Sequence, residues 1–260
     1  MTVKERMAIR KIFILAIAVS IIIFGLSAQA LAVPFTCVEC PPPNAFVQID
    51  GSDPINVPLT QNTLGQFLIS NFRTELNGNV VTIPEATLSP DPSIAYAFGV
   101  VDFGAPSIFG FFFFTPIAPT GAPNVVFASL AGGFIDVDGL GYSFTPVPGP
   151  LAQVSEVHFP ATNMGVDVGP AFAAGAAPPG TPYVYGPFTD GPQPGPGPGP
   201  WTGLSTSLVF SLAGGGDTAA LTGFASIEEV LVPEPSALLL LGSGLAGLAL
   251  FGRKRRSTKQ

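Results

Sequence analysis

Positive charge is nearly absent from the body of this 260-residue chain. Of ten Lys and Arg, four lie near the start (Lys4, Arg6, Arg10, Lys11) and five near the end (Arg253, Lys254, Arg255, Arg256, Lys259). Arg73 alone stands between them. From Leu31 to Gly252 one base faces sixteen acids, a net charge of −15. Nucleic-acid phosphates are gripped by Lys and Arg, so a nucleic-acid partner is excluded for this body. Histidine is equally scarce: His158 is the single one. A hydrolase triad would have to use it, and no serine sits in G-x-S-x-G. No Walker-type phosphate loop is present either. Long helices are disfavoured too, because 31 Gly and 29 Pro punctuate the chain.

The two cysteines, Cys37 and Cys40, are separated by Val38 and Glu39. In an exported protein a disulfide is the natural reading of such a pair. A structural zinc site would need two further ligands, and a thioredoxin-type site would need a βαβ context rather than the following Pro41-Pro42-Pro43.

The bases sit where topology signals sit. Residues 1–32 read as a secretory signal peptide: four bases, a 15-residue uncharged stretch from Ile12 to Leu26, then Ala28-Gln29-Ala30 as a cleavage site. Signal peptidase is the processing partner this implies. At the other end, Val232-Pro233-Glu234-Pro235 breaks regular structure. Ser236 to Gly252 follows as 17 residues without charge, and Arg253-Lys254-Arg255-Arg256 closes it. As a helix this run is about 25 Å long, marginal for a hydrocarbon core of about 30 Å. The basic cluster is expected to remain cytoplasmic and stop the segment in the membrane. Within it, Gly242-Ser243-Gly244-Leu245-Ala246-Gly247 fits G-x-G-x-x-G by chance, since Pro233 and Pro235 stand where a preceding strand is required.

Pro233-Glu234-Pro235, the apolar run and the Arg-rich end together closely resemble the PEP-CTERM sorting signal of Gram-negative bacteria. The resemblance covers Val232–Arg256 and leaves the preceding body unassigned. It implies recognition by an exosortase near the Pro-Glu-Pro, export across the inner membrane, and a destination in the membrane, cell surface or extracellular matrix, often with exopolysaccharide and biofilm systems.

The body, residues 33–231, alternates short apolar runs with Gly, Pro, Asn and Asp. The expected strands are Phe46–Ile49, Gln66–Phe72, Val80–Ile83, Ile94–Phe103, Val125–Leu130, Gly141–Thr145, Gln153–Phe159, Leu204–Leu212 and Leu221–Val232. Such spacing points to an all-β ectodomain, a sandwich or jelly-roll-like fold, flanked by a signal helix and a C-terminal transmembrane helix. Asn77-Gly78 is a hairpin signal. Phe111–Phe114 reads as a strand buried on both faces. Residues 189–200, rich in Pro and Gly, read as an extended loop within one sandwich. Val125–Gly133 and Leu208–Gly215 echo each other, either as a repeated hairpin entering a Gly turn or as compositional bias.

Carboxylates are the only plentiful chemical group. Asp136-Val137-Asp138-Gly139 resembles part of a calcium loop without its closing Glu, so Asp136 and Asp138 are weak Ca2+ candidates. Trp201, Tyr183 and Tyr185 are weak candidates for stacking on a sugar. His158 reads as a satisfied strand histidine. The expectation is an exported surface or matrix protein without catalytic activity. The alternatives are a carbohydrate- or Ca2+-binding sandwich module and, less favoured, a secreted glycoside hydrolase using paired carboxylates.

Overall fold

The computed structural model describes residues 42–117, 124–158, 164–195 and 202–229. All of them belong to one compact unit, Phe35–Gln260. Signal peptide, cysteine pair, Trp201, Pro-Glu-Pro motif, C-terminal helix and basic cluster lie outside the described residues.

Among the described residues fifteen strands follow one another. The first eight are β1 (Asn44–Ile49), β2 (Ile55–Asn56), β3 (Thr60–Gln61), β4 (Phe67–Leu76), β5 (Asn79–Ser89), β6 (Ser93–Asp102), β7 (Ile108–Pro116) and β8 (Asn124–Asp136). Then come β9 (Tyr142–Pro146), β10 (Leu151–His158), β11 (Met164–Pro170), β12 (Phe172–Ala174), β13 (Thr181–Pro194), β14 (Gly203–Leu212) and β15 (Asp217–Glu229). One sheet runs β11-β10-β14-β7-β1-β2, with β9 also pairing β14 and β12 pairing β9. The other runs β13-β8-β15-β6-β5-β4-β3. All pairings are antiparallel, and the result is an all-β sandwich.

Period-2 alternation explains the packing. In β6, Ile94, Tyr96, Phe98 and Val100 are buried, while the residues between them are half-buried or exposed. The phenylalanines that look excessive in composition fill the space between the sheets. Phe98 stacks on Phe111 of the opposite sheet at 4.0 Å between ring centroids, and Tyr96 stacks on Phe113 at 4.9 Å. Phe134 of β8 meets Phe144 of β9 at 5.0 Å. Each fully buried Phe contributes roughly 1.5–3 kcal/mol relative to exposure. The Phe111–Phe114 run is a strand within β7. Phe111 and Phe113 point into the core, Phe112 stacks on Phe46 at 4.8 Å on the outer face, and Phe114 is also buried.

The Asn77-Gly78 hairpin forms as expected, joining β4 to β5 with Leu76 paired to Asn79. Both turn residues have positive φ, 53° and 86°, the geometry whose twist matches the flanking strands.

One expectation is corrected. Residues 189–200 do not begin as a loop: Thr189–Pro194 completes β13, and 196–200 lie outside the described residues. Among the described residues β13 pairs with β8 alone, with register shifts at Tyr185/Phe188 and Asp190/Gln193. At an edge, a proline's missing N–H costs no ladder bond. Of the two readings of the internal echo, the repeated hairpin is the one the described residues do not show. Gly132 and Gly133 lie inside β8, which continues unbroken to Asp136. Leu208–Gly215, by contrast, ends β14 and leads from one sheet to the other. The echo is compositional.

Candidate functional site: a carboxylate row at one end of the sandwich

Three connections between the sheets converge at one end: residues 103–107 from β6 to β7, 137–141 from β8 to β9, and 213–216 from β14 to β15. The first and third are tied by backbone bonds, Gly215 N–H to Gly104 O at 2.9 Å and Gly216 N–H to Asp102 O at 2.8 Å. At this end each of the three adjacent strands β6, β15 and β8 carries an aspartate. Asp102 pairs directly with Asp217 across β6 and β15. Asp136 follows Ile135, whose partner Thr218 follows Asp217. All three are buried, in phase with the core positions of their strands. Asn79 continues the row on β5, accepting from Phe103 N–H at 2.8 Å and donating to Ser107 Oγ at 2.7 Å.

Asp138 of the β8–β9 connection joins this row. Carboxylate oxygens of Asp136, Asp138 and Asp217 all lie within 4.8 Å of one another. Backbone amides orient each group. Gly139 and Gly141 donate to the two oxygens of Asp136 at 2.7 and 3.1 Å. Leu140 donates to Asp138 Oδ1 at 2.8 Å, and Val137 donates to Asp217 Oδ1 at 3.0 Å. Gly214, Gly215 and Gly216 all have positive φ, and a Cβ on Gly215 would overlap the Asp138 carboxylate. The glycine run is therefore what lets the crossing pass close to that side chain.

Among the described residues no base faces these carboxylates. Arg73, the only Lys or Arg between residues 42 and 229, pairs with Glu75 at 3.6 Å on an exposed surface. Burial pushes the Asp217 carboxyl up to about 6, and the charges of Asp136, Asp138 and Asp102 add to it against the Val137 amide. Burial also raises Asp102; bonds from Ser107 oppose this, and Asp50 adds to it. Asp102 Oδ2 accepts from Ser107 N–H at 3.1 Å, but Oδ1 has no hydrogen-bond partner among the described residues. The Tyr142 hydroxyl is likewise buried without a partner. Its ionisation is raised by burial and by the charges of Asp217 and Asp102.

Of the expected site residues, Asp136 and Asp138 come together and acquire a third carboxylate, Asp217, that no local pattern suggested. A usable signal existed: each of Asp102, Asp136 and Asp217 falls on the core phase of an alternating strand. The sugar-stacking expectation is corrected for Tyr185, which is buried and donates its hydroxyl to Pro170 O at 2.7 Å. Tyr183 packs half-buried against the core. His158 shares a 2.7 Å hydrogen bond with Ser205 Oγ and sets its ring against Phe114 at 5.6 Å. Ser205 itself is buried.

A second buried polar group behaves differently. Tyr96 donates to Gln153 Oε1 at 2.7 Å across the two sheets, and Gln153 Nε2 donates to Ser155 Oγ and Phe224 O. This network is internally satisfied and fixes how the sheets face each other. The carboxylate row offers the opposite, hard oxygen donors with unspent capacity.

Fold and site thus define a two-sheet antiparallel β-sandwich with an acidic cluster where three sheet-to-sheet crossings meet. Residues 231–256 match the family model of the PEP-CTERM protein-sorting motif, so the chain carries the exosortase-directed sorting signal of an exported protein. No curated protein matches the chain. Among solved structures, the infectious bursal disease virus Gx strain is similar at 14% identity and a TM-score of 0.23, over 79% of this chain and 56% of that one. T=1 particles derived from infectious bursal virus give 12% and 0.16, over 85% and 69%. The chain spans little more than half the length of the first, and superpositions this poor fix neither fold nor function.

Proposed function

We propose that this is a protein of the bacterial cell surface or extracellular matrix, with a β-sandwich ectodomain that has no catalytic activity of its own. The observation that carries this reading is the sorting motif at 231–256. In this reading, signal peptidase removes residues 1–32 and an exosortase processes the tail near Pro233-Glu234-Pro235. The segment 236–252 holds the chain in the membrane until then, with Arg253–Arg256 inside. The acidic, Phe-cored sandwich is the exposed product, and exopolysaccharide is its natural neighbour. In the native host, deleting Val232–Gln260 is expected to move the protein from the membrane to the soluble exported fraction. Mass spectrometry of the wild-type product is expected to find both ends removed. Unchanged fractionation on deletion, together with an intact C-terminus in the mature protein, would overturn the reading.

A further inference from the structure

Burying several carboxylates with no base beside them is costly unless a cation compensates. Asp136 at the end of β8, Asp138 in the following connection and Asp217 at the start of β15 gather within 4.8 Å of one another, and amides aim each of them. Asp138 and Asp217 each spend one oxygen on an amide, and no hydrogen bond among the described residues engages the other. Two further polar atoms stand unpartnered behind this group: Asp102 Oδ1, on the same buried face directly across from Asp217, and the hydroxyl of Tyr142. Both residues are almost wholly buried, at 0% and 1% exposure, so bulk water does not reach them. An orphaned carboxylate oxygen and an orphaned phenol beside three converging carboxylates mark a place shaped for something positive.

We propose that Asp136, Asp138 and Asp217 bind a single Ca2+, with Asp102 supplying a fourth negative group behind them, and that the ion fastens the crossings 137–141 and 213–216 together. The donor set selects the ion. It is all oxygen, without Cys or His, which favours a hard cation over zinc or copper. Two strand-end carboxylates and one loop carboxylate suit the irregular six- to eight-fold oxygen shell of Ca2+ better than the strict octahedron of Mg2+. The site goes beyond the surface role proposed above and stands or falls independently of how the protein is sorted.

The test uses the full-length protein in detergent, stripped with EDTA and titrated with CaCl2 by calorimetry, with thermal unfolding followed in parallel. Saturable one-site binding is expected, with a dissociation constant of about 1 mM or tighter, the range of extracellular modules. Ca2+ should raise the unfolding temperature by a few degrees, and Mg2+ should do so much less. Asp217→Asn is expected to weaken binding at least tenfold, and Asp91→Asn, an exposed acid before the start of β6 and so at the opposite end of that strand from Asp102, to leave it unchanged. Tb3+ luminescence sensitised by Tyr gives a second readout on wild type: Ca2+ should displace the ion, and Tyr142→Phe should dim it. Absence of saturable binding to wild type overturns the proposal, whatever the variants do. So does equal binding by a folded Asp217→Asn protein.

Discussion

Asp102 and Asp217 stand directly opposite each other on the β6–β15 ladder, both on its buried face. Like charges in that relation are destabilising by up to about 1 kcal/mol. Asp102→Asn keeps the shape and the acceptor for Ser107 N–H while removing one charge. In EDTA, the variant is expected to gain about 1 kcal/mol in urea unfolding followed by circular dichroism. A loss of stability instead would mean that the Asp102 carboxylate is already compensated in the metal-free fold.

Phe98 is the hinge of aromatic packing between the sheets, 4.0 Å from Phe111 and 5.9 Å from Phe210. Phe98→Ala opens a cavity that these rings cannot close. The expected loss is about 3–5 kcal/mol. Phe112→Ala on the outer face, where the side chain is only half-buried, is expected to lose clearly less. Denaturant midpoints of the two variants make the comparison.

Gly132 sits in the middle of β8 with β15 pressed against it. An added Cβ would overlap Ala220 O and the backbone of Leu221. Gly132→Ala is therefore expected to cost about 1–3 kcal/mol, or to prevent folding. Gly149, with open space around the position and no positive φ, accepts Ala with little change. Soluble yield and thermal unfolding distinguish the two.

His158 carries a pH prediction. Burial lowers its pKa from 6.5, with Glu156 pulling the other way. The fold therefore prefers the neutral ring, and the unfolded chain binds the proton more readily. Stability contributed by the neutral form is fully present above about 6.5. It is lost as pH falls from there toward the lowered folded value, and then levels off. Wild type and His158→Gln are expected to diverge in that window and run parallel above it. Unfolding free energies measured from pH 7.5 to 4.5 would show this, and parallel curves throughout would contradict it.

Much of the sandwich is legible in the sequence. Alternation in Ile94–Phe103 and Gln153–Phe159, and the turn chemistry of Asn77-Gly78, need only nearby residues to be read. Strands β11 and β13 were not legible. Their Gly and Pro suppress every local strand signal, and they exist because β10 and β8 each offer them an edge. The extension of β8 through Gly132-Gly133 was hidden for a similar reason: β15 and β13 flank it and complete its ladder on both sides.

The acidic site divides in the same way. Asp136 and Asp138 are close in the chain, and a turn brings their carboxylates together without help from the rest of the fold. Asp217 lies about eighty residues on and Asp102 more than thirty residues before, so only strand order could place them beside that turn. The sequence by itself determined the sorting tail, because a membrane and a processing enzyme read a linear pattern of Pro-Glu-Pro, apolar run and bases. It also determined the all-β character, because side-chain alternation is a property of each strand alone. Only the tertiary structure decided that an acidic chain would concentrate four carboxyls in one buried corner. Strand register is set by core packing along whole sheets, and the charges at the strand ends go where that register carries them.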